Sequence, residues 1–177
     1  MACNARTWRR AWAVLLAGMA MALAAQHAHA QKPQPHQSTR QPAPQFIRKD
    51  LNGHAVNLRA LKGKVVLLNF WATWCGPCQV ELPKFSAWQK QYGASGLKVI
   101  AVSMDDEAAP VRAVARKLKL DMPVVMGDAK LGTLYGGVLG LPVTYLIARD
   151  GTVAARIEGK ADLAGMETSI QKLLGQR

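Results

Sequence analysis

Trp71-Ala72-Thr73-Trp74-Cys75-Gly76-Pro77-Cys78 is the stretch of this sequence that decides the fold. It follows an apolar run at residues 65–70 that is typical of a buried strand, and a helical pattern comes after it. The N-terminus of a helix carries partial positive charge and unpaired N–H groups, which favour a thiolate over a thiol. A Cys-X-X-Cys pair at such a place can supply a nucleophile at neutral pH, and its second cysteine can attack the mixed disulfide that the first one forms. The pattern therefore predicts thiol–disulfide exchange.

Two other interpretations of the cysteine pair account less well for the sequence. A structural zinc site needs four ligands, but the third cysteine, Cys3, falls in the N-terminal leader, and His36 and His54 show no paired ligand spacing. A structural disulfide across so short a loop would stabilise the fold by only about 2 kcal/mol, less than a longer loop would give. We therefore expect no metal site and a disulfide that works as a redox switch.

The first 30 residues are typical of a secretory signal peptide. Three arginines precede an uninterrupted apolar stretch at residues 11–25, and Ala28-His29-Ala30 then offers the small residues that a signal peptidase prefers. We expect cleavage between Ala30 and Gln31 and release into the periplasm. The alternative is an uncleaved inner-membrane anchor with the domain facing the periplasm, although the apolar stretch is short for a membrane span.

Length and composition predict one domain behind this leader. The 177 residues suffice for a signal peptide at residues 1–30, a disordered linker rich in Gln and Pro at residues 31–44, and a domain at residues 45–177. The formal net charge is +12, with basic residues scattered along the chain. Outside the cytoplasm nucleic acid is not an expected partner, so the charge indicates a solvated surface with some bias towards anionic membranes or acidic partners. We expect a monomer.

The order of apolar segments predicts the architecture. A short hairpin around Asn52-Gly53 opens the domain, and an apolar strand leads to the cysteine pair. The segments that follow are a helix at 77–92, a strand at 97–104, a helix at 107–120, a strand at 124–126, a short helix at 129–135, a hairpin of strands at 144–147 and 152–157, and a helix at 161–174. This order predicts an α/β fold in which a mixed central sheet has helices on both faces.

Residues 63–83 carry a resemblance to a known family. They include Asn69-Phe70-Trp71-Ala72-Thr73-Trp74-Cys75-Gly76-Pro77-Cys78 and Glu81-Leu82-Pro83, and this pattern resembles the TlpA-like branch of the thioredoxin superfamily. The likeness extends over about residues 44–174 and includes Gly140-Leu141-Pro142-Val143-Thr144. It implies a thioredoxin-like fold and an exported thiol:disulfide oxidoreductase similar to the ResA- and CcmG-type proteins of cytochrome c maturation.

The resemblance also implies where a substrate lies. In thioredoxin-like folds the proline matching Pro142 is cis and faces the dithiol, and the residue before it, here Leu141, offers backbone groups to an extended substrate segment. Trp74, beside the motif, is expected to shape the substrate groove. The expected substrate-binding residues are Trp74, Gly76, Pro77, Leu141 and Pro142, and no metal or organic cofactor is expected beyond the redox-active Cys75–Cys78 disulfide.

Glu81 is the third expected catalytic residue, after Cys75 and Cys78. Helical spacing places Cys78, Glu81, Leu82 and Phe85 on one face, where a carboxylate is costly unless it is protonated, hydrogen-bonded or used. One interpretation puts Glu81 at the edge of this stripe, in contact with water. The other makes it a proton relay for Cys78. TlpA-like proteins carry a glutamate here, whereas ordinary thioredoxins use a buried aspartate at the position of Asn69, which cannot titrate.

The expected function is a dithiol reductase of extracytoplasmic protein disulfides, in cytochrome c maturation or a similar task of cell redox homeostasis. A membrane dithiol protein would be its electron donor. The alternatives are a disulfide oxidase or isomerase, and a binding module whose disulfide stays oxidised. A peroxidase fits less well, because peroxidase relatives use a Thr-X-X-Cys with a preceding proline and Thr73-Trp74-Cys75 has neither feature.

Overall fold

A computed structural model describes residues 41–176 of the chain. The expected signal peptide, its cleavage site and residues 31–40 of the expected linker lie outside the described residues. In the described part, no helix is both long enough and apolar enough to cross a membrane.

The strands of residues 41–176 form two sheets. The first is an antiparallel hairpin of β1 (Ile47–Lys49) and β2 (Ala55–Asn57). The second has the order β5-β4-β3-β6-β7 and contains β3 (Val65–Trp71), β4 (Leu97–Ser103), β5 (Val124–Met126), β6 (Val143–Ile147) and β7 (Val153–Glu158). The central strand, β3, pairs in parallel with β4 and antiparallel with β6. The mixed central sheet and the N-terminal hairpin are confirmed.

Helices connect and cover these strands. They are α1 (Gly76–Tyr92), α2 (Ala108–Lys117), α3 (Ala129–Leu134) and α4 (Leu163–Gly175). Predicted and observed ends differ by a few residues; α4, for example, begins after Asp162, whose side chain caps it by accepting a hydrogen bond from the N–H of Ala164. A 3-10 helix at Leu58–Leu61 was not predicted; the side chain of Asn57 caps it.

Both faces of the central sheet are buried. Every residue of β3 is buried, and successive residues alternate between two clusters. One cluster joins Leu67 and Trp71 of β3 to α1 and α4, and the other joins Leu68 and Phe70 to β1–β2 and α3. A strand covered on two faces favours apolar residues at nearly every position, and Asn69 is the polar exception in β3.

Residues 41–44 correct the expected boundary between linker and domain. The N–H of Ala43 donates to the carbonyl of Gly151 at 2.9 Å, and the N–H of Val153 donates to the carbonyl of Gln41 at 2.8 Å. Within this pairing, Pro42 forms an antiparallel β-bridge with Thr152. Proline has no N–H to donate, and such a residue is tolerated at the edge of a sheet. The ordered domain therefore includes Gln41 and does not begin at residue 45.

Candidate active site

The cysteine pair lies where β3 passes into α1. Cys75 is the N-cap of α1, and its Sγ lies 3.3 Å from the N–H of Cys78, which donates to it. Pro77 occupies the first turn, where a residue without an N–H leaves no helical hydrogen bond unmade. The sulfur of Cys75 thus lies at the positive end of a 17-residue helix, as the sequence predicts.

Cys75 and Cys78 form a disulfide with their Cα atoms 5.3 Å apart. Cys75 is 5% exposed and Cys78 is 0% exposed, while Gly76 and Pro77 between them lie on the surface. Cys75 is therefore the more accessible of the two cysteines, and it adjoins residues that lie on the surface.

A carboxylate that the sequence analysis missed holds the turn before Cys75. Asp105 accepts hydrogen bonds from the N–H of Thr73 at 2.9 Å, from the Thr73 hydroxyl at 2.6 Å and from the Ser103 hydroxyl at 2.7 Å. From the other side, Nε2 of Gln79 donates to the carbonyl of Thr73 at 2.6 Å. The sequence did carry a signal for this role of Asp105, which follows β4 directly. Because β4 runs parallel to β3 and the two strands end side by side, Asp105 lies near the turn that follows β3.

Glu81 is buried, with 2% of its surface exposed, so the interpretation that places it in contact with water is wrong. Its Oε1 accepts a hydrogen bond from the N–H of Ala161 at 2.7 Å, and its Oε2 has no hydrogen-bond partner among the described residues. Burial raises the pKa of Glu81 above its ordinary value, against the opposing effects of the Ala161 N–H and the charge of Lys160. The carboxyl group lies on the buried face of α1 that also carries Cys78.

A second polar pair is buried on the α1 side of the sheet. Nδ2 of Asn69 donates to the hydroxyl of Thr144 at 2.9 Å, while Oδ1 of Asn69 finds no partner within residues 41–176. Asn69 shares its face of β3 with Leu67 and Trp71, whose cluster includes both cysteines. Asn69 stands out in the sequence motif, whereas its partner Thr144 lies on a strand distant in the chain and carries no local signal.

The Leu141-Pro142 peptide bond is cis, as the resemblance implied. Leu141 is half-buried and packs against the cluster that contains both cysteines. Pro142 is buried, and its carbonyl accepts a hydrogen bond from the N–H of Gly159 at 2.8 Å. The structure thus brings Leu141 to the hydrophobic cluster of the disulfide.

Exposed apolar side chains lie next to the cysteine pair and next to the Leu141-Pro142 segment. Trp74, next to Cys75, is 73% exposed, and Leu139, close before Leu141, is fully exposed. A cavity of about 290 Å³, missed by the sequence analysis, is lined by Leu139, Leu141, Arg156 and Glu158.

The described residues contain no group of three or more histidine, cysteine, aspartate or glutamate side chains that could hold a metal ion.

The chain is similar in sequence and in fold to known proteins. The AhpC/TSA family matches residues 39–156. Thiol-disulfide oxidoreductase ResA of Bacillus cereus is 36% identical over 133 residues, which cover 74% of this chain and 76% of the relative. Thioredoxin-like protein YneN of Bacillus subtilis is 40% identical over 116 residues, which cover 64% and 67%. A thiol:disulfide interchange protein of the thioredoxin family from Chlorobium tepidum has a solved structure with a TM-score of 0.72 and 27% identity, covering 78% of this chain and 99% of that one.

Proposed function

Because this chain belongs to the AhpC/TSA family and is a thiol:disulfide oxidoreductase with a thioredoxin-like fold, we propose that it reduces protein disulfides outside the cytoplasm. The observation that carries the proposal is the position of Cys75 as the N-cap of α1, where it is slightly exposed while Cys78 is fully buried. Cys75 can meet a partner, and Cys78 is held where it can attack Cys75.

The first step is attack on the partner. The thiolate of Cys75 attacks one sulfur of the partner disulfide, that bond breaks, and the other partner sulfur leaves as a thiolate. The N-terminal N–H groups of α1, including that of Cys78, stabilise the negative charge of Cys75 before the attack.

The second step releases the partner. Cys78 loses its proton and attacks the Sγ of Cys75, which restores the Cys75–Cys78 disulfide and frees the second partner thiol. In total, two electrons and two protons pass from the chain to the partner. We assign the proton of Cys78 to Glu81, because both residues lie on the buried face of α1 and burial raises the pKa of this carboxyl group towards that of a thiol.

The partner is held by backbone and by apolar contact. Leu141 presents backbone groups next to the site, where an extended substrate segment would pair with them. Gly76 and Pro77 contribute surface between the cysteines, Trp74 contributes an exposed ring, and the cis-proline Pro142 completes the substrate contact.

The setting of the reaction follows from the sequence. The expected signal peptide directs the chain to the periplasm, where a membrane dithiol protein re-reduces it, and the disulfides of proteins in cytochrome c maturation are suitable substrates. The protein works as a monomer with its cysteine pair and no further cofactor.

The equilibrium potential of the Cys75–Cys78 couple against glutathione tests the direction of the reaction. A value on the order of −270 mV, as in thioredoxin, supports a reductase. A value of about −120 mV, as in strong periplasmic oxidants, would make the protein an oxidase. If the cysteine pair never equilibrates with glutathione and the protein does not reduce insulin, a binding module is the remaining interpretation.

A further inference from the structure

Positive charge collects at one end of the central sheet. Lys62 and Lys64 directly precede β3, Lys98 is the second residue of β4, and Lys172 lies in the last turn of α4. With Arg149, which follows β6, these residues define what we call the basic end of the domain. All four lysines are exposed.

Arg149 shows that these segments meet. Its guanidinium donates to the carbonyls of Gly63 at 2.8 Å, Ser95 at 3.1 Å and Leu174 at 2.9 Å, so the loops before β3 and β4 and the end of α4 surround one side chain. These three partners are neutral carbonyl groups, so they leave the positive charge of Arg149 uncompensated.

The opposite end, where the disulfide lies, carries most of the acidic residues. Its acidic residues follow β4 and β5, end β7 or precede α4, and they are Asp105, Asp106, Glu107, Asp128, Glu158 and Asp162. Two arginines near this end are already neutralised, since Arg48 pairs with Asp128 and Arg156 pairs with Glu158. The domain therefore has a positive end and an acidic end.

The lysines of the basic end are free to bind an anion. Within residues 41–176, none of Lys62, Lys64, Lys98 and Lys172 forms an ion pair. Acidic residues at this end include Asp121, which precedes β5 and pairs with Lys90 at 3.5 Å, and Asp150, in the turn between β6 and β7. The carboxylate of Asp150 accepts hydrogen bonds from Thr152, and the more distant charge of Lys62 contributes least to the lowering of its pKa.

An apolar cavity lies among these cations. It measures about 220 Å³, and Leu58, Leu61 and Ile147 line it together with three basic residues, Arg59, Lys62 and Lys64, and one acidic residue, Asp150. Cations around an apolar surface are the combination that membrane-surface proteins present to anionic phospholipids.

The described domain also begins at this end. The carbonyl of Gln41 pairs with the N–H of Val153, next to the Asp150-Gly151 turn.

We propose that the basic end docks on the surface of a membrane containing anionic phospholipid, which leaves the disulfide facing away from the membrane. The length of β3 separates the two ends by about 20 Å, well beyond the screening length of about 8 Å at physiological salt. The acidic end is therefore not repelled when the basic end touches anionic headgroups. Such docking would let the domain meet protein partners while it stays near its membrane electron donor.

Vesicle binding by the full chain tests this proposal. The probes are vesicles of phosphatidylcholine with and without phosphatidylglycerol, and the variants are Lys62→Glu/Lys64→Glu and the control Lys49→Glu/Lys130→Glu. Both pairs change the net charge equally, but the control lysines lie on β1 and α3. The leader is present in every protein, so differences between variants report on the domain.

We expect the wild type and the control to bind the anionic vesicles more tightly than the neutral ones, with the preference disappearing in high salt. The basic-end variant should bind the anionic vesicles at least about tenfold more weakly. Equal weakening in both variants would show that only net charge matters and would overturn the proposal. No preference of the wild type for anionic vesicles would overturn it too, and an acidic protein would then be the better partner for this end.

Orientation is tested separately. Vesicle-bound protein should reduce insulin as fast as free protein, because the disulfide faces solution. Loss of activity on binding would place the acidic end on the membrane and overturn the proposal. Insulin reduction by each variant in solution verifies that it is folded, and failure of the wild type there would contradict the proposed reductase rather than the docking.

Discussion

The two cysteines of the disulfide differ in exposure, and this difference agrees with the roles that we propose for them. Cys75 caps a helix and reaches the surface, whereas Cys78 is sealed by the core. The sequence predicted this order from the position of a helix N-terminus, which is a local property. Local patterns suffice here because both cysteines and the helix lie within one short segment.

Replacing the cysteines one at a time should separate the two steps. Cys75→Ser should abolish insulin reduction and mixed-disulfide formation, since the accessible nucleophile is gone. Cys78→Ser should trap partners on Cys75, because the resolving thiol is absent. Non-reducing gels and mass spectrometry of the adducts measure both effects. Trapping on Cys78 in the Cys75→Ser variant, at comparable yield, would reverse the assignment.

The substitution Glu81→Gln tests the proton relay. The glutamine side chain keeps the size of the glutamate and an acceptor for the N–H of Ala161, but it cannot titrate. Resolution of the mixed disulfide by Cys78 should slow by at least about tenfold near neutral pH, while attack by Cys75 changes less. Rates of reduction and of thiol alkylation against pH measure this. Superimposable profiles for the two proteins would remove Glu81 from the mechanism.

The same variant should change the pH dependence of stability. Because the folded pKa of Glu81 is raised above the ordinary 4.5, the folded state keeps its proton to higher pH than the unfolded state. The stabilisation from proton binding is therefore complete below pH 4.5 and is lost as pH rises through the folded pKa. Glu81→Gln should escape this loss, so its free energy of unfolding relative to wild type should increase with pH. Urea unfolding at several pH values measures the difference, and a constant difference would contradict the raised pKa.

Helical spacing could not decide whether Glu81 touches water. The spacing places it on the face of α1 that carries Cys78, but Ala161, from the segment before α4, donates the hydrogen bond to its carboxylate. That contact joins residues far apart in the chain, and no local pattern reports it. The burial of Glu81 therefore became known only from the structure.

At the scale of elements, the turn between β3 and α1 depends on one carboxylate. Asp105→Ala would leave the N–H and hydroxyl of Thr73 and the hydroxyl of Ser103 without their acceptor. Stability should fall by about 2–3 kcal/mol, because these groups are partly or wholly buried. Reduction should slow as well, since the turn positions Cys75.

The neighbouring Asp106 offers a matched control, because it is exposed and forms no hydrogen bond or ion pair with the described residues. Asp106→Ala should change stability by less than about 0.5 kcal/mol. Urea unfolding and insulin reduction of both variants give the comparison. Equal effects of the two substitutions would remove the special role of Asp105.

The segment at residues 41–44 is predicted to be part of the folded domain in solution. A variant lacking residues 1–44 loses the backbone hydrogen bonds of Gln41 and Ala43 and the buried side chain of Ala43. Relative to a variant lacking residues 1–40, it should be less stable by about 2 kcal/mol. Thermal unfolding of the pair measures this, and equal stability would return the segment to the linker.

Strands and helices with strong apolar periodicity were predictable, and short or polar elements were not. The apolar run of β3 and the helical spacing of α1 carry their own signal. The 3-10 helix at Leu58–Leu61 has no such period, and residues 41–44 have a composition typical of linkers although their backbone pairs with a hairpin. Backbone hydrogen bonding depends little on side chains, so composition could not reveal that pairing.

At the scale of the whole molecule, the leader remains a prediction. Secreted protein should begin close to Gln31, because residues 1–30 have the charge, apolar run and small residues of a cleaved signal. Mass measurement of material recovered from outside the cytoplasm determines the mature end. Intact residues 1–30 on that material would favour a membrane anchor instead.

The placement of β3 has a consequence for how the molecule opens. β3 is hydrogen-bonded on both edges and buried on both faces, so its amide hydrogens should exchange with solvent only through global unfolding. The edge strands β5 and β7 can open locally. The disulfide is attached to the end of a strand that is expected to exchange slowly, so repeated oxidation and reduction would occur next to a part of the chain that rarely opens.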